Sequence, residues 1–276
     1  MVEDFLFTYQ GLIDTIGING LLALSLYIVL AIGQLSLGQA AFMGIGAYGS
    51  ALLTSRLGWP FPLALVAAAA LPAFAALVIG RPTSRLSGVY LALATIGFGE
   101  VLRIFYVNAE FTGGALGLSG IPERAGILWI YGTLAATLAG LTLLCRTRIG
   151  RAMEAMRQDE IAASVMGIDL ARYKLGALIL SAALAGLAGA FNAHSSTSIA
   201  PGEFGFDAAV TILSFALLGG IGSPFGPVLG AVILTALPEL LRPLHDFRLV
   251  LNGLIIVLAV LFMPRGLLAW RIGRAR

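Results

Sequence analysis

Long apolar segments follow one another along almost the whole chain, separated by short polar connections. A helix that crosses a bilayer needs roughly 20 mostly apolar residues, because lipid offers no partners for exposed backbone groups. Charged residues make up only 11% of the sequence, against about 25% in an ordinary soluble domain. So few charges leave a soluble fold without enough polar surface. The sequence therefore predicts an all-α, polytopic integral membrane protein.

Nine apolar segments are candidate membrane spans, within a range of eight to ten. They cover about residues 16–34, 39–55, 60–80, 86–107, 125–145, 172–193, 206–221, 225–241 and 248–263. The second, seventh and eighth are short and rich in glycine, so we expect some broken or re-entrant helices among them. We assign the whole chain, residues 1–276, to one membrane domain.

The distribution of arginine and lysine predicts the orientation, because basic residues accumulate in cytoplasmic loops. With nine spans and the N-terminus outside, 12 basic residues fall inside and 4 fall outside. We therefore expect an extracytoplasmic N-terminus and a cytoplasmic C-terminus. Residues 242–248, with two arginines on the outside, fit this orientation poorly. An even number of spans with a cytoplasmic N-terminus is the alternative.

Few side chains in this sequence are suited to catalysis or metal binding. The chain has one cysteine and two histidines, His194 and His245, which are far apart in sequence. We find no nucleophile with a neighbouring base of the kind that covalent catalysis requires. The net charge of +3 fits basic cytoplasmic loops better than nucleic-acid binding. We expect no metal, no cofactor and no nucleic-acid partner.

Two polar, glycine-rich stretches interrupt the apolar chain. The first reads GQLSLGQ (33–39), and the second reads GGIGSPFGP (219–227). Irregular backbone inside a membrane is tolerated where protein packs around it or where it lines a cavity, and transporter sites often use such breaks. Close helix packing is the alternative for single glycines such as Gly44 and Gly46. The predicted translocation-path residues in or just after these stretches are Gln34, Ser36, Gly38, Gln39, Phe42, Gly219, Gly220 and Gly222.

One long polar segment, residues 146–174, separates two predicted spans. It is charged and carries alanine and methionine at helical spacing. Thr147 is the expected N-cap, and Gly167 is the expected stop because glycine accepts the left-handed conformation. The segment is predicted to form one cytoplasmic surface helix of about four turns, either straight or bent.

A helix resting on lipid is one alternative for this segment. Three acidic residues, Glu154, Asp159 and Glu160, would repel anionic headgroups. Mixed charge with small residues at the centre is better suited to a groove on a protein partner.

The same segment resembles the cytoplasmic coupling motif of ABC importer permeases, in which Glu-Ala is followed about a dozen residues later by glycine. Glu154-Ala155 and Gly167 match this motif. Five ordered stretches extend the likeness: GLLALSLYIVLAIGQLSLGQAAFMGIGAY, LSGVYLALATIGFGEVLRIFYVN, TGGALGLSGIP, AMRQDEIAASVMGID and LLGGIGSPFGPVLGAVIL. From about residue 15 to 268 the chain resembles branched-chain amino acid ABC permeases, specifically the LivM-type subunit.

The resemblance implies that residues 146–172 dock on an ATP-binding subunit. The implied coupling residues are Glu154, Ala155, Arg157, Asp159, Glu160, Ala163 and Gly167. It also implies a heterodimer with a LivH-type permease, two ABC ATPases and a soluble extracytoplasmic solute-binding protein, in a bacterial inner membrane. The chain contains no phosphate-binding loop of the form GxxxxGK[ST]. ATP hydrolysis is therefore assigned to partners, and the chain itself is not an enzyme.

The implied function is the inward transport of branched-chain amino acids. Permeases for urea and short amides share much of the pattern, so that substrate class is an alternative. An ion-coupled secondary transporter is a weaker alternative, because Glu100 is the one clear acidic residue inside a predicted span.

Glu100 and Arg103 lie three residues apart in the fourth span and so share a helix face. They are predicted path residues, since charges inside a span are rare and mark function by default. Binding a zwitterionic amino acid and locking helix packing are the two alternatives for this pair. In the loop 108–122, predicted to lie outside, Thr112, Gly113 and Gly114 are candidates for docking the solute-binding protein.

Overall fold

A computed structural model describes residues 2–84 and 86–240. Within these ranges the chain forms ten α-helices and one antiparallel pair of short strands. The helices are α1 Val2–Leu30, α2 Gln39–Ser55, α3 Phe61–Thr83, α4 Gly88–Asn108, α5 Ile127–Arg146, α6 Arg148–Gln158, α7 Glu160–Val165, α8 Leu170–Ser196, α9 Phe206–Gly219 and α10 Phe225–Leu240. The strands are β1 Leu118–Ser119 and β2 Ser198–Ile199. The described residues thus agree with the all-α prediction, apart from the strand pair.

Five described helices are long and apolar enough to cross a membrane, namely Tyr9–Leu30 of α1 together with α3, α4, α5 and α8. Three further helices, α2, α9 and α10, have only 17, 14 and 16 residues. They occupy the three segments that the sequence predicts to be short. Helices therefore fill the first eight predicted spans. The ninth, residues 248–263, lies outside the described residues.

The centre of the bundle is formed by α1 and α8. In their most apolar stretches 72% and 61% of the residues are buried, against 33% for α3 and 17% each for α4 and α5. Helices α2 and α3 pack against α8, while α9 and α10 pack against each other and against α1. Most of the surface of α4 and α5 is therefore open to lipid or to another subunit.

Glycines let α2 and α3 approach α8 with their backbones in contact. A Cβ added to Gly46 would lie 2.2 Å from the carbonyl oxygen of Gly186, and one added to Gly186 would lie 2.1 Å from that of Ala68 in α3. A Cβ on Gly189 would lie 2.0 Å from the carbonyl oxygen of Met43. No side chain fits at these distances, so small residues are required for the packing. For Gly46, helix packing is therefore the interpretation that the structure supports.

The two ends of the bundle carry different connections. At one end, the loop 109–126 meets the α8–α9 connection through β1 and β2, and the backbone N–H of Ile121 donates to the carbonyl of Thr197 (3.0 Å). We call it the strand end. The other end holds residues 31–38 together with α6 and α7, and we call it the coupling end. These groupings match the relative sides that the sequence predicts for the same connections.

Replacing Gly46 by leucine should prevent proper assembly, because the new side chain would meet the backbone of α8. Overpacking of this kind costs about 1–3 kcal/mol or more. We expect a loss of monodisperse protein after detergent extraction and a lower thermal midpoint. The matched control is Gly132→Leu in α5, where a Cβ would meet nothing within 4 Å. Equal yield and midpoint for both variants would contradict the packing assigned to Gly46.

Candidate functional site

Residues 31–38 form an irregular connection between α1 and α2, which we call the α1–α2 break. Its first turn uses Gly33 in the left-handed conformation, with φ at +78°. The backbone N–H of Leu37 donates to the hydroxyl of Thr95 in α4 (2.9 Å), and that of Gly38 donates to the hydroxyl of Ser36 (3.3 Å). Side chains thus satisfy backbone groups that a broken helix leaves open, as an apolar environment requires.

The polar side chains in the break and at the start of α2 point into the bundle. Gln34, Ser36 and Gln39 are 7%, 0% and 1% exposed. The side-chain amide of Gln39 donates to the hydroxyl of Ser181 in α8 (3.3 Å). Phe42 is also buried, and its ring centroid lies 5.6 Å from that of Phe98. In this chain these residues support the break from inside, and their contact with solute remains a prediction.

Glu100 and Arg103 form an ion pair on the surface of α4. The Arg103 Nε donates to Glu100 Oε1 at 2.8 Å. The side chain of Glu100 is 41% exposed and that of Arg103 is 36% exposed. Glu100 is the thirteenth of the 21 residues of α4, so the pair lies near the middle of a span. An ion pair at this depth is unfavourable against lipid. We therefore expect protein or water, and not lipid, next to this face of α4.

The beginnings of α2 and α9 border the same charged pair. A narrow crevice beside Glu100 is lined by Leu37, Ala40, Ala41, Ile96, Gly99, Phe204, Gly205, Phe206 and Ala209. A Cβ on Gly205 would lie 3.3 Å from Arg103 Cδ. Neither α2 nor α9 has a side-chain cap at its first turn. Two uncapped helix N-termini and an ion pair therefore converge at one place.

The second glycine-rich stretch forms the turn between α9 and α10. Gly220 has a φ of +89°, which favours glycine. A Cβ on Gly219 would lie 1.8 Å from the carbonyl oxygen of Gly226, so the two helices touch through their backbones. At Gly222 a Cβ would meet nothing within 4 Å. Turn conformation and packing account for Gly220 and Gly219, and a place for these three glycines on the translocation path remains a prediction.

The coupling segment, residues 146–172, contains two helices where the sequence predicts one. The N-cap predicted at Thr147 is present, with its hydroxyl accepting from the backbone of Gly150 (3.4 Å). The left-handed stop at Gly167 is present too, with φ at +83°. Asp159 divides the segment, because its carboxylate accepts from the backbone N–H groups of Ile161 and Ala162 (2.9 and 3.0 Å). An N-cap carboxylate starts a new helix, so the segment forms two separate helices and not the one straight or bent helix that the sequence predicts.

Helix α6 packs against the α1–α2 break. A Cβ on Gly33 would lie 3.3 Å from the Cα of Arg157, and Met153 and Met156 of α6 are buried. On its outer side Glu154 Oε1 accepts from Arg157 (2.6 Å) and from Gln158 (3.2 Å). Partial burial raises the pKa of Glu154, but the hydrogen bonds from Arg157 and Gln158 and the arginine charge outweigh it and lower the pKa overall.

Helix α7 exposes an apolar surface that the sequence analysis missed. Ile161, Val165 and Met166 are 79%, 80% and 83% exposed, while Ala163 is buried. The sequence does contain a signal for this surface. Ile161 and Val165 lie four residues apart in a segment between spans, and such a pair shares one helix face. We call these three residues the α7 apolar surface. Glu160, at the start of α7, is ion-paired with Lys174 of α8.

At the strand end, Thr112 is 1% exposed and donates its hydroxyl to the carbonyl oxygens of Tyr106 and Ala109 (2.7 Å each). Gly113 and Gly114 have φ values of +81° and +61° and shape the turn. Thr112 therefore holds the loop and does not present its side chain to a partner. Leu116 is 93% exposed in the same turn. Docking of a binding protein through the loop remains a prediction.

Comparison with known proteins identifies relatives along nearly the whole chain. The family model described as "Branched-chain amino acid transport system / permease component" matches residues 9–263. The high-affinity branched-chain amino acid transport system permease protein LivM of Salmonella typhimurium is 35% identical over 284 residues, which cover 90% of this chain and 67% of that protein. LivM of Escherichia coli K12 is 34% identical over the same shares.

Two further relatives have lower identity. The permease protein LivH of E. coli K12 is 28% identical over 97% of each chain. The ribose import permease protein RbsC of E. coli K12 is 28% identical over 92% of this chain and 86% of that protein. No solved structure matches the chain. The matched family region includes the α1–α2 break, the Glu100–Arg103 pair and the coupling segment.

Replacing Asp159 by alanine should loosen α7, because two backbone N–H groups lose their acceptor. Loss of an N-cap costs about 1 kcal/mol. We expect amide hydrogen exchange in residues 160–166 to become about fivefold faster. Asp159→Asn is the control, since asparagine caps as well as aspartate. If the alanine and asparagine variants exchange at the wild-type rate alike, Asp159 does not set the boundary between α6 and α7.

Proposed function

The chain belongs to the branched-chain amino acid transport permease family, and we propose that it is the LivM-type permease subunit of an ABC importer. In this role it moves branched-chain amino acids inward across the bacterial cytoplasmic membrane. The full span of the family match supports treating residues 1–276 as one permease domain. The LivM relatives, at 34% and 35% identity, favour this solute class over the ribose of the RbsC relative at 28%. Urea and short amides are not favoured.

The observation that carries the proposal is the coupling segment. One side of it packs on the α1–α2 break at Gly33, and its other helix exposes the α7 apolar surface. Exposed apolar side chains on a segment outside the membrane indicate a protein partner. An ATPase subunit docked on α7 would therefore act, through α6, on a broken helix of the permease.

The likeness to LivH supports pairing with a second permease. This chain aligns with LivH over 97% of both lengths, so a LivH-type partner would have a similar architecture. We propose a heterodimer with such a chain, two ATPase subunits at the coupling end and a solute-binding protein at the strand end. ATP hydrolysis belongs to the ATPase subunits, because this sequence has no phosphate-binding loop.

The translocation path is proposed to run past the Glu100–Arg103 face of α4. A partly exposed ion pair in the middle of a span must face water or the partner permease. The uncapped beginnings of α2 and α9 border the same crevice. Helix N-termini favour negative charge, as in transporters whose broken helices receive a carboxylate. A zwitterionic amino acid has groups that match both the ion pair and the helix ends.

The coupling end is proposed to face the cytoplasm. Arg146 ends α5, and Arg148, Arg151 and Arg157 lie on α6, in agreement with the rule that basic residues stay inside. With this orientation the N-terminus would lie outside, as the sequence predicts. The strand end, with the exposed Leu116, then faces the solute-binding protein.

Replacing Ile161 by aspartate should abolish stable association with the ATPase, because a charge would replace an exposed apolar contact on α7. We expect at least about a tenfold loss of ATPase recovered by co-purification, the effect of a change of about 1.4 kcal/mol. Leu116→Asp is the matched control, since that residue is exposed at the opposite end. Equal recovery with Ile161→Asp and wild type would remove α7 from the docking surface.

Replacing Glu100 by glutamine should reduce ATP-driven leucine uptake by roughly tenfold while assembly is retained, because Arg103 would lose its charged partner on the path. Exposed Glu110, at the strand end of α4, provides the control Glu110→Gln. The same assay with isoleucine and urea as competitors tests the solute class. Normal uptake by Glu100→Gln would exclude the carboxylate from transport, and competition by urea alone would contradict the proposed solute.

A further inference from the structure

Lys174, the one lysine of the chain, is buried at the coupling end. It lies in the first turns of α8, and its side chain is 7% exposed. Its Nζ forms an ion pair with Oε1 of Glu160, the first residue of α7. An ammonium group is expensive to bury without a partner. The pair therefore joins α7 to the beginning of a central, membrane-spanning helix.

This ion pair differs in kind from its neighbours. Glu154 and Arg157 lie three residues apart within α6, and Asp169 and Arg172 lie three apart at the start of α8. The second of these local pairs is exposed, with the arginine side chain at 88%. Lys174 and Glu160, by contrast, belong to different helices. The pair thus constrains the position of α7 relative to α8, whereas the local pairs constrain only one helix.

Lys174 also lies beside the α1–α2 break. It lines a small cavity together with Gln34, Ser36 and Thr83. Helix α6, which precedes Asp159 in the chain, contacts the break directly, because the backbone of Arg157 lies beside Gly33. Both helices of the coupling segment therefore reach the break, α6 by its own backbone and α7 through Lys174.

We propose that the Glu160–Lys174 ion pair is the link that carries the movement of α7 to α8 and to the α1–α2 break during each transport cycle. Lys174 is then a positioning residue, because it acts through the helices and not on the solute. The inference rests on the proposed function, since it requires an ATPase that moves α7. Asp159 separates α6 from α7, so a movement of α7 is not transmitted through a continuous helix. A direct contact between α7 and α8 is therefore needed.

The test is a double substitution, Glu160→Gln with Lys174→Met, in the complete complex with both ATPases. It removes both charges and keeps similar side-chain shapes, a change that buried ion pairs often tolerate. We expect assembly and ATP hydrolysis to continue, while leucine transported per ATP hydrolysed falls at least about fivefold, the lower end of typical coupling between sites. The charge exchange Glu160→Lys with Lys174→Glu should restore most of this ratio.

The control is Arg81→Gln, which removes an exposed charge from the last turn of α3, outside the coupling segment, and should leave the ratio unchanged. An unchanged ratio in the Glu160→Gln, Lys174→Met variant would overturn the proposal. So would a loss that the charge exchange does not restore, because side-chain shape and not charge attraction would then be responsible.

If the double variant does not assemble, Lys174→Met alone provides the same test, because Glu160 is 41% exposed and water can hydrate it. Measurements on the wild-type complex show whether the proposed function or only the proposed link has failed. A wild-type chain that neither binds the ATPases nor takes up leucine with ATP would refute the proposed function. If wild type and variant transport the same amount of leucine per ATP hydrolysed, only the proposed link is refuted.

Discussion

The contact between α6 and the α1–α2 break is the constraint on which the rest of the arrangement depends. Gly33 adopts a left-handed turn without a Cβ, and the backbone of Arg157 occupies the space beside it. Because α1 is the most buried of the described spans and α2 packs on α8, the break between them is fixed on its inner side. Its outer side is the coupling segment. A displacement of that segment therefore reaches the core at the point where a spanning helix is already interrupted.

The polar groups of this membrane protein are distributed according to what surrounds them. Inside the bundle, Gln39 donates a hydrogen bond to Ser181, and the hydroxyl of Thr95 accepts one from the backbone N–H of Leu37 in the break. On the bundle surface, the Glu100–Arg103 pair remains partly exposed at mid-span. Lipid would penalise such a pair, so its exposure in a single chain indicates a face that another subunit or water covers. This exposure supports the proposed pairing with a second permease.

Much of the fold was predictable, because apolar segments of helical length report membrane spans directly. The caps at Thr147 and Gly167 were also predictable from residue type. The division of the coupling segment at Asp159 was not, since an aspartate within a charged helix and one that caps a new helix look alike in sequence. Burial of Gln39 and Thr112, and the partnership of Lys174 with Glu160, depend on tertiary contacts that one sequence does not encode locally.

The most direct test of the coupling account is a pair of distances measured by spin labelling in the complex reconstituted with its ATPases. One label is placed at Ser164 on α7, and the second at Gly176 on α8 or at Leu93 on α4, with Cys145 replaced by alanine. Upon trapping with ATP and vanadate, we predict that the α7–α8 distance stays constant while the α7–α4 distance changes. Unchanged distances for both pairs, or a change between α7 and α8 alone, would contradict the account.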